Sequence, residues 1–574
     1  MARIWAERIW LAAAALATLG ILGFYAQRLA MPLPIFAADE AAYLIRAIWP
    51  DPIVAYDPSV GAANNGVHLS VIRAVYPLGG SSIIADRLVN SAAYLGGLVL
   101  LWRSSTARLP RADQLALALI ALAFPYYPFA FSNLAEGLYV GVFVLLLLAT
   151  GRWYRSRPLF HALVAGAGAA ALVLVKPNGL AVVVALAAVT VLDAAASGGW
   201  RRLPLRALAF AAAFFAVGNL IQLGAEAPAG HPLAFFLSQD YAGQLAQPPV
   251  PDALGLGALY LGSMVAALAV LAGVPVVAGL ADLRDRWRAA RGGFMADGRD
   301  LVFALLLLSA AMTLAMVTLF AVKIAWSPGE RLRLWGRYFE FFAPMLWLAA
   351  APALARPIGR RTAWACVAVM LAGLAGLLAS LQAGIVLFPW DSTVLTAFFR
   401  ADPLRAALGG GPPYRLLAAA ATVAAAAALK LGLRPAQAGL ALTLALAALS
   451  TRLDHLWLGP LVQHTYAFER DIRALSPGLP PEPAEIVLLA PEANDGHLGF
   501  LRLNARPHVY LGRPSLTAPD ALATATAVVV AGPEAPPGGP WVRTFQGPAL
   551  SLFRRQPAAR GVALRPLPVA AALR

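Results

Sequence analysis

Two adjacent carboxylates, Asp39 and Glu40, follow the first apolar stretch in Phe36-Ala-Ala-Asp39-Glu40-Ala-Ala-Tyr43-Leu44. Apolar surroundings raise a carboxylate's pKa towards the working range and a nearby cation lowers it, so such a pair can accept a proton from a hydroxyl. Leu44, Ile45 and Ile48 continue at helical spacing, so the pair also reads as the acidic first turn of a helix. A third acid, Glu136, stands in Asn133-Leu-Ala-Glu136-Gly137, and a lysine in Val175-Lys176-Pro177-Asn178-Gly179, each between apolar stretches. A lysine buried at a hydrocarbon edge costs about 3 kcal/mol unless it snorkels or finds a partner. The stretch from Lys323 to Arg337 carries four basic residues, Lys323, Arg331, Arg333 and Arg337. Such a patch can hold an anion, Arg337 offering a planar fork for a phosphate, or it can anchor the chain at a membrane surface. His68, in Asn64-Asn65-Gly66-Val67-His68-Leu69, and Tyr338, beside Arg337, complete the candidate substrate-binding groups.

The elements that must position these residues are membrane spans. The chain of 574 residues is 60% hydrophobic with a mean hydropathy of +0.69. Its 13% charged residues compare with roughly 25% in soluble proteins. A span needs about 20 apolar residues. By that measure about thirteen are expected, near 9–26, 84–102, 114–131, 137–150, 162–176, 180–194, 207–223, 256–281, 301–322, 339–354, 363–387, 415–433 and 436–453. The first reads as an uncleaved span, because its apolar run is long for a signal peptide and no small-residue cleavage site follows. Alternate links are arginine-rich: Arg103/Arg108/Arg111, Arg152/Arg155/Arg157, Arg201/Arg202/Arg206, Arg284/Arg286/Arg288/Arg291, Arg356/Arg360/Arg361 and Lys430/Arg434. The positive-inside rule makes these cytoplasmic, together with the N-terminus. All the candidate chemistry then lies on the opposite face. The net charge of +16 is accounted for by anionic lipid rather than nucleic acid, since no basic recognition segment appears. The single cysteine, Cys366, excludes an intramolecular disulfide and Cys-based metal sites.

Residues 1–453 form the transmembrane domain on this reading, and 454–574 a small α/β domain outside the membrane. The tail has β-like runs at Glu485–Leu489, His508–Leu511, Thr526–Val530 and Ala549–Phe553 between Pro/Gly-rich turns.

In this order the motifs resemble those of the GT-C superfamily of integral-membrane glycosyltransferases. The resemblance rests on Asp39-Glu40 in the first outer loop, on Asp86-Arg87-Leu88-Val89-Asn90-Ser91 entering the second span, and on Glu136 after the third. It continues with the basic-Pro-x-Gly turn Lys176-Pro177-Asn178-Gly179 and with Arg337-Tyr338 leading to Pro344. It covers about residues 1–350. A Pro-Pro-Leu-Tyr-like segment usual in the family is missing; the polar run from Asn64 to Leu69 stands there, and Lys176 replaces a frequent Arg.

The resemblance implies a hexosyl- or pentosyltransferase that inverts the anomeric centre. It would move a sugar from a polyprenyl-phosphate donor to a glycan, lipid or protein acceptor at the outer face of a bacterial inner membrane. Asp39 is then the base, and Glu40 its neighbour in the catalytic pair or an acceptor ligand. Arg337, Lys176, Arg331 and Arg333 hold the donor phosphate, and Glu136, His68 and Tyr338 line the substrate site. No cofactor is expected, and the lack of a dense acidic cluster disfavours a divalent metal. The alternatives are a polysaccharide polymerase or ligase, a lipid-linked substrate transporter or flippase, and an assembly protein without chemistry. A transporter would place its ionisable residues in mid-span, whereas here they collect at span ends.

Overall fold

The computed structural model describes residues 2–31, 37–48, 65–78, 83–224, 250–289, 297–326, 330–356, 358–388, 390–399, 414–481, 486–490, 508–511, 525–532, 534–536, 539–556 and a few isolated positions between them. Each of the thirteen apolar segments contains helix, but in 114–131 the helix stops at Ala123, ahead of Pro125, and resumes only as a short turn over Tyr127–Ala130. In chain order the helices are α1 (Ala2–Leu29), α2 (Ala37–Ile48), α3 (Gly66–Leu78), α4 (Ile83–Thr106), α5 (Arg111–Ala123), α6 (Glu136–Trp153), α7 (Pro158–Val175), α8 (Gly179–Ser197), α9 (Leu203–Gly224), α10 (Val250–Ala289) and α11 (Gly298–Ile324). There follow α12 (Phe342–Ala349), α13 (Ala351–Leu354), α14 (Arg360–Gln382), α15 (Tyr414–Lys430) and α16 (Pro435–Leu475). Among the described residues, nine helices are long and apolar enough to cross a membrane.

The tenth expected span is not one rod but the two short helices α12 and α13, joined at Ala350 just before Pro352. Proline lacks an N–H and crowds the preceding turn, which accounts for the break. The first inter-span region, read as loop from the sequence, holds α2 and α3. Their helical apolar spacing decides the conformation, because α2 has something to bury against.

Helix pairs α10/α14, α7/α9, α4/α6 and α8/α11 make the closest packing. Small residues permit it: a Cβ on Gly137 would lie 2.4 Å from the Asn90 carbonyl oxygen, so glycine lets the start of α6 approach α4.

α16 has 41 residues, about 60 Å at 1.5 Å per residue, twice the hydrocarbon thickness. It runs without interruption through residue 454 and leads to a five-stranded mixed sheet of order β2-β1-β3-β5-β4. The strands are β1 (Ile486–Ala490), β2 (His508–Leu511), β3 (Ala527–Ala531), β4 (Trp541–Gln546) and β5 (Leu550–Arg555). β1 pairs in parallel with β2 and β3; β5 lies antiparallel between β3 and β4. β4 is absent from the sequence expectation. Its run of Trp541, Val542, Thr544 and Phe545 between Gly/Pro-rich turns was the available signal.

β1 and β3 are buried on both faces, as their unbroken apolar runs require. Val487, Leu489, Val528 and Val530 join Phe553 on one face. On the other, Ile486, Leu488 and Val529 share a core with Phe468 and Ile472 of α16 and with Ala41, Leu44 and Ile45 of α2. The sheet therefore backs the helix that carries the Asp39-Glu40 pair. Asp471 ties α16 to the sheet by accepting the Ala549 and Leu550 N–H groups at 2.7 and 3.0 Å.

Candidate active site

The chemistry-bearing segments meet at one end of the helix bundle. Position 39 lies in α2, but the Asp39 side chain is outside the described residues. Glu40 is fully buried and faces inward. Its carboxylate pairs with Arg87 of α4 at 3.1 Å, both side chains being wholly buried, and accepts the Asn133 N–H at 2.6 Å. With these contacts made, Glu40 fixes α2 to α4 and to the 132–135 turn rather than presenting a carboxylate to an acceptor. Arg87, Asn90 and Ser91 occupy one face of α4 at i, i+3 and i+4. Asn90 donates to the Ala130 and Ser132 carbonyls at 3.1 and 2.9 Å and accepts the Leu138 N–H at 2.7 Å. Ser91 donates to Ala130 at 3.3 Å. The motif on α4 thus shapes the segment that delivers Glu136.

Glu136 opens α6 and Lys176 closes α7, so each charge complements the dipole of its own helix end. The two are brought together as a buried ion pair. The Lys176 ammonium also sits 4.3 Å from the centre of the Tyr338 ring, a cation–π contact. His68 of α3 lies beside this pair. One of its ring nitrogens hydrogen-bonds the Asn133 backbone, while Nε2 is buried without a partner. Burial pushes His68 down to about 4, against the Glu136 carboxylate, so the ring is neutral at physiological pH. Tyr43 packs edge-on to it at 4.9 Å and accepts a hydrogen bond from Asn65 at 2.9 Å. The Asn133 side chain is fully buried, and neither of its polar atoms has a partner among the described residues.

The basic loop is built by pairing with the segment after α14. Arg333 and Val386 form a parallel bridge, with Leu334 N–H donating to Val386 at 2.9 Å and Val386 N–H to Leu332 at 2.8 Å. Leu332 takes a left-handed φ of 62°, costly for a γ-branched side chain. Its N–H donates to the Tyr260 hydroxyl at 2.8 Å, which helps hold that conformation.

Arg333 departs from the expectation of an anion holder. It reaches both Asp391 oxygens at 2.7 and 2.9 Å and both Glu330 oxygens at 2.7 and 2.9 Å, and stacks 3.8 Å over the Trp335 ring. Burial works against its charge, but the two carboxylates outweigh it and the pKa stands above the ordinary value. Arg333 is compensated and braces the loop. Arg331 is exposed at the rim, over Trp326 at 5.6 Å. Arg337 is inside: its N–H donates to the Asp391 carbonyl at 2.5 Å and its own carbonyl accepts the Tyr126 hydroxyl at 2.9 Å.

Two acids were not singled out from the sequence, Asp391 and Glu340. Both are fully buried. The polar triplet Asp391-Ser392-Thr393, close behind a span, was the available signal. Glu340 accepts a hydrogen bond from the Ser392 hydroxyl. Among the described residues, no group of three His, Cys, Asp or Glu side chains is placed to hold a metal ion.

Solved structures share this fold. ArnT from Cupriavidus metallidurans in the apo state matches with a TM-score of 0.52 at 15% identity, over 97% of this chain and 100% of that one. The same protein bound to undecaprenyl phosphate gives 0.50 and 16% over the same shares. The chain has the ArnT fold. At this identity the likeness concerns the fold alone. No protein-family model matches the sequence, and no curated protein does. In the ArnT fold as this chain builds it, Glu136, Lys176, His68, Arg337 and Tyr338 converge, Glu40 and Arg333 serve as braces, and Arg331 stays at the edge.

Proposed function

We propose that this chain is an inverting membrane glycosyltransferase that moves a hexosyl or pentosyl group from a polyprenyl-phosphate donor to an acceptor hydroxyl on a glycan, lipid or protein. The observation that carries the reading is the convergence of Glu136, Lys176, Arg337, Tyr338 and His68, from four separate segments, beside the helix bearing Asp39. The shared fold with a protein bound to undecaprenyl phosphate supports the donor class.

In the reaction, Asp39 takes the acceptor's hydroxyl proton. The acceptor oxygen bonds to the anomeric carbon as the bond from that carbon to the phosphate oxygen breaks, and the configuration inverts. Polyprenyl phosphate leaves as an anion, and Arg337 and Lys176 stabilise the developing charge. Tyr338 and Glu136 hold Lys176 in place. His68 Nε2 and the Asn133 amide are buried without a partner among the described residues and have hydrogen-bonding capacity for a bound sugar.

The arginine-rich end is cytoplasmic in a bacterial inner membrane on this reading. The site and the sheet then lie outside, with 1–453 as the transmembrane domain and 454–574 as the outer one. A reporter fused after residue 556 reads extracytoplasmic on this orientation.

The test is turnover by purified protein with a panel of polyprenyl-phosphate sugars, following free polyprenyl phosphate. Release that falls about 10²–10⁴-fold in Asp39→Asn, the usual range for a general base, supports the proposal. Absence of release from every donor, or undiminished release in a folded Asp39→Asn variant, overturns it.

A further inference from the structure

The end of the bundle opposite the candidate active site carries a cavity of about 500 Å³ between the start of α14 and the turn joining α15 to α16. We propose that it binds an anionic phospholipid, its phosphate held by Arg360 and Lys430 and its acyl chains lying along α14 and α15.

The charge pattern carries the proposal. Arg360, Lys430 and Arg434 line the cavity, and no carboxylate does. Arg434 is engaged with Asp113 of α5, at 3.1 and 3.3 Å. Among the described residues, neither Arg360 nor Lys430 has a carboxylate partner. Two neighbouring cavities at this end are also basic, but each brings an acid of its own, Asp193 in one and Asp297 in the other. Positive charge is uncompensated where the Arg360 cavity lies and is balanced in part at the other two.

The rest of the wall selects a lipid. Lys430 sits 4.9 Å over the Trp364 ring, so its aliphatic stem is held against an aromatic of the kind that marks membrane interfaces. Val367 and Leu429 form an apolar floor beneath the cations. Trp364 and Leu371, seven residues apart on α14, are 47% and 40% exposed and continue the apolar face along the helix. α14 begins at Arg360 without a side-chain cap, so backbone N–H groups of its first turn add donors for a phosphate.

The ligand thus needs a negative head on an apolar body. A free phosphate leaves the apolar floor uncovered. A zwitterionic headgroup brings its own cation into a cavity already lined by three. Arg360 supplies the planar fork that matches two phosphate oxygens, and Lys430 a point charge.

The experiment uses full-length protein in detergent, titrated with phosphatidylglycerol or phosphatidylcholine and read by native mass spectrometry. One phosphatidylglycerol is expected to be retained in preference to phosphatidylcholine. Removing two cations worth about a factor of five each, as in Arg360→Gln/Lys430→Gln, is expected to weaken retention roughly 30-fold. Arg284→Gln, at an exposed cation outside the cavity, leaves retention unchanged. Val367→Trp fills the floor without touching charge and is expected to weaken retention as well. Photoreactive phosphatidylglycerol should label peptides spanning 358–367 and 429–434. Equal retention by the double variant, label confined to other segments, or displacement of the lipid by millimolar inorganic phosphate would each overturn the proposal.

Discussion

Arg87–Glu40 and Arg284–Asp285 are the same chemical pair at opposite ends of one molecule. Their N–O distances are 3.1 and 2.9 Å. The first is wholly buried; the second is 55% and 64% exposed. Around Arg87 and Glu40, charges are taken out of contact with water, so each must be met by an opposite charge or a hydrogen bond. Arg284 and Asp285 stay exposed and interact through a screened medium. Distance alone therefore says little about what an ion pair does in this protein. The surroundings decide whether it organises a site or decorates a surface.

The largest expected effect comes from breaking the buried pair. Arg87→Ala strands Glu40 and should cost about 3–5 kcal/mol, measured as the loss of thermal stability in detergent. Glu40→Gln/Arg87→Met keeps an acceptor for the Asn133 N–H and removes both charges, so it should recover most of that loss. If the double variant is as unstable as Arg87→Ala, the ionic pairing is not what holds α2 to α4.

Next comes the contrast between two arginines of one loop. Arg337→Ala removes a charged donor from inside the site and should raise the donor KM about 10- to 100-fold, leaving acceptor affinity nearly unchanged. Arg337→Lys should already weaken the donor, since a point charge replaces a fork. Arg331→Ala should have little effect, because its charge is exposed. The reverse order would move the phosphate to the rim.

The smallest effect belongs to the exposed pair. Arg284→Gln should change stability by no more than about 0.5 kcal/mol. A larger loss would mean that the two ends are not governed by the same contrast.

The span pattern was legible from composition because a bilayer tolerates few helices that are not long and apolar. All thirteen segments contain helix, 114–131 only in part, and the strands β1, β2, β3 and β5 lie within two residues of the expected runs. The gathering of Glu136, Lys176 and the 323–337 loop at one end also followed from sequence, since alternate spans return the chain to the same end. Partnership did not. Arg333 was read as an anion holder and is held by Asp391, 58 residues away, while Glu40 was read as the neighbour of Asp39 or an acceptor ligand and is paired with Arg87, 47 residues away. Helical periodicity reports which residues share a face. It does not report what the next helix brings against that face, and the cost of burying a charge is met only by the groups that tertiary packing supplies.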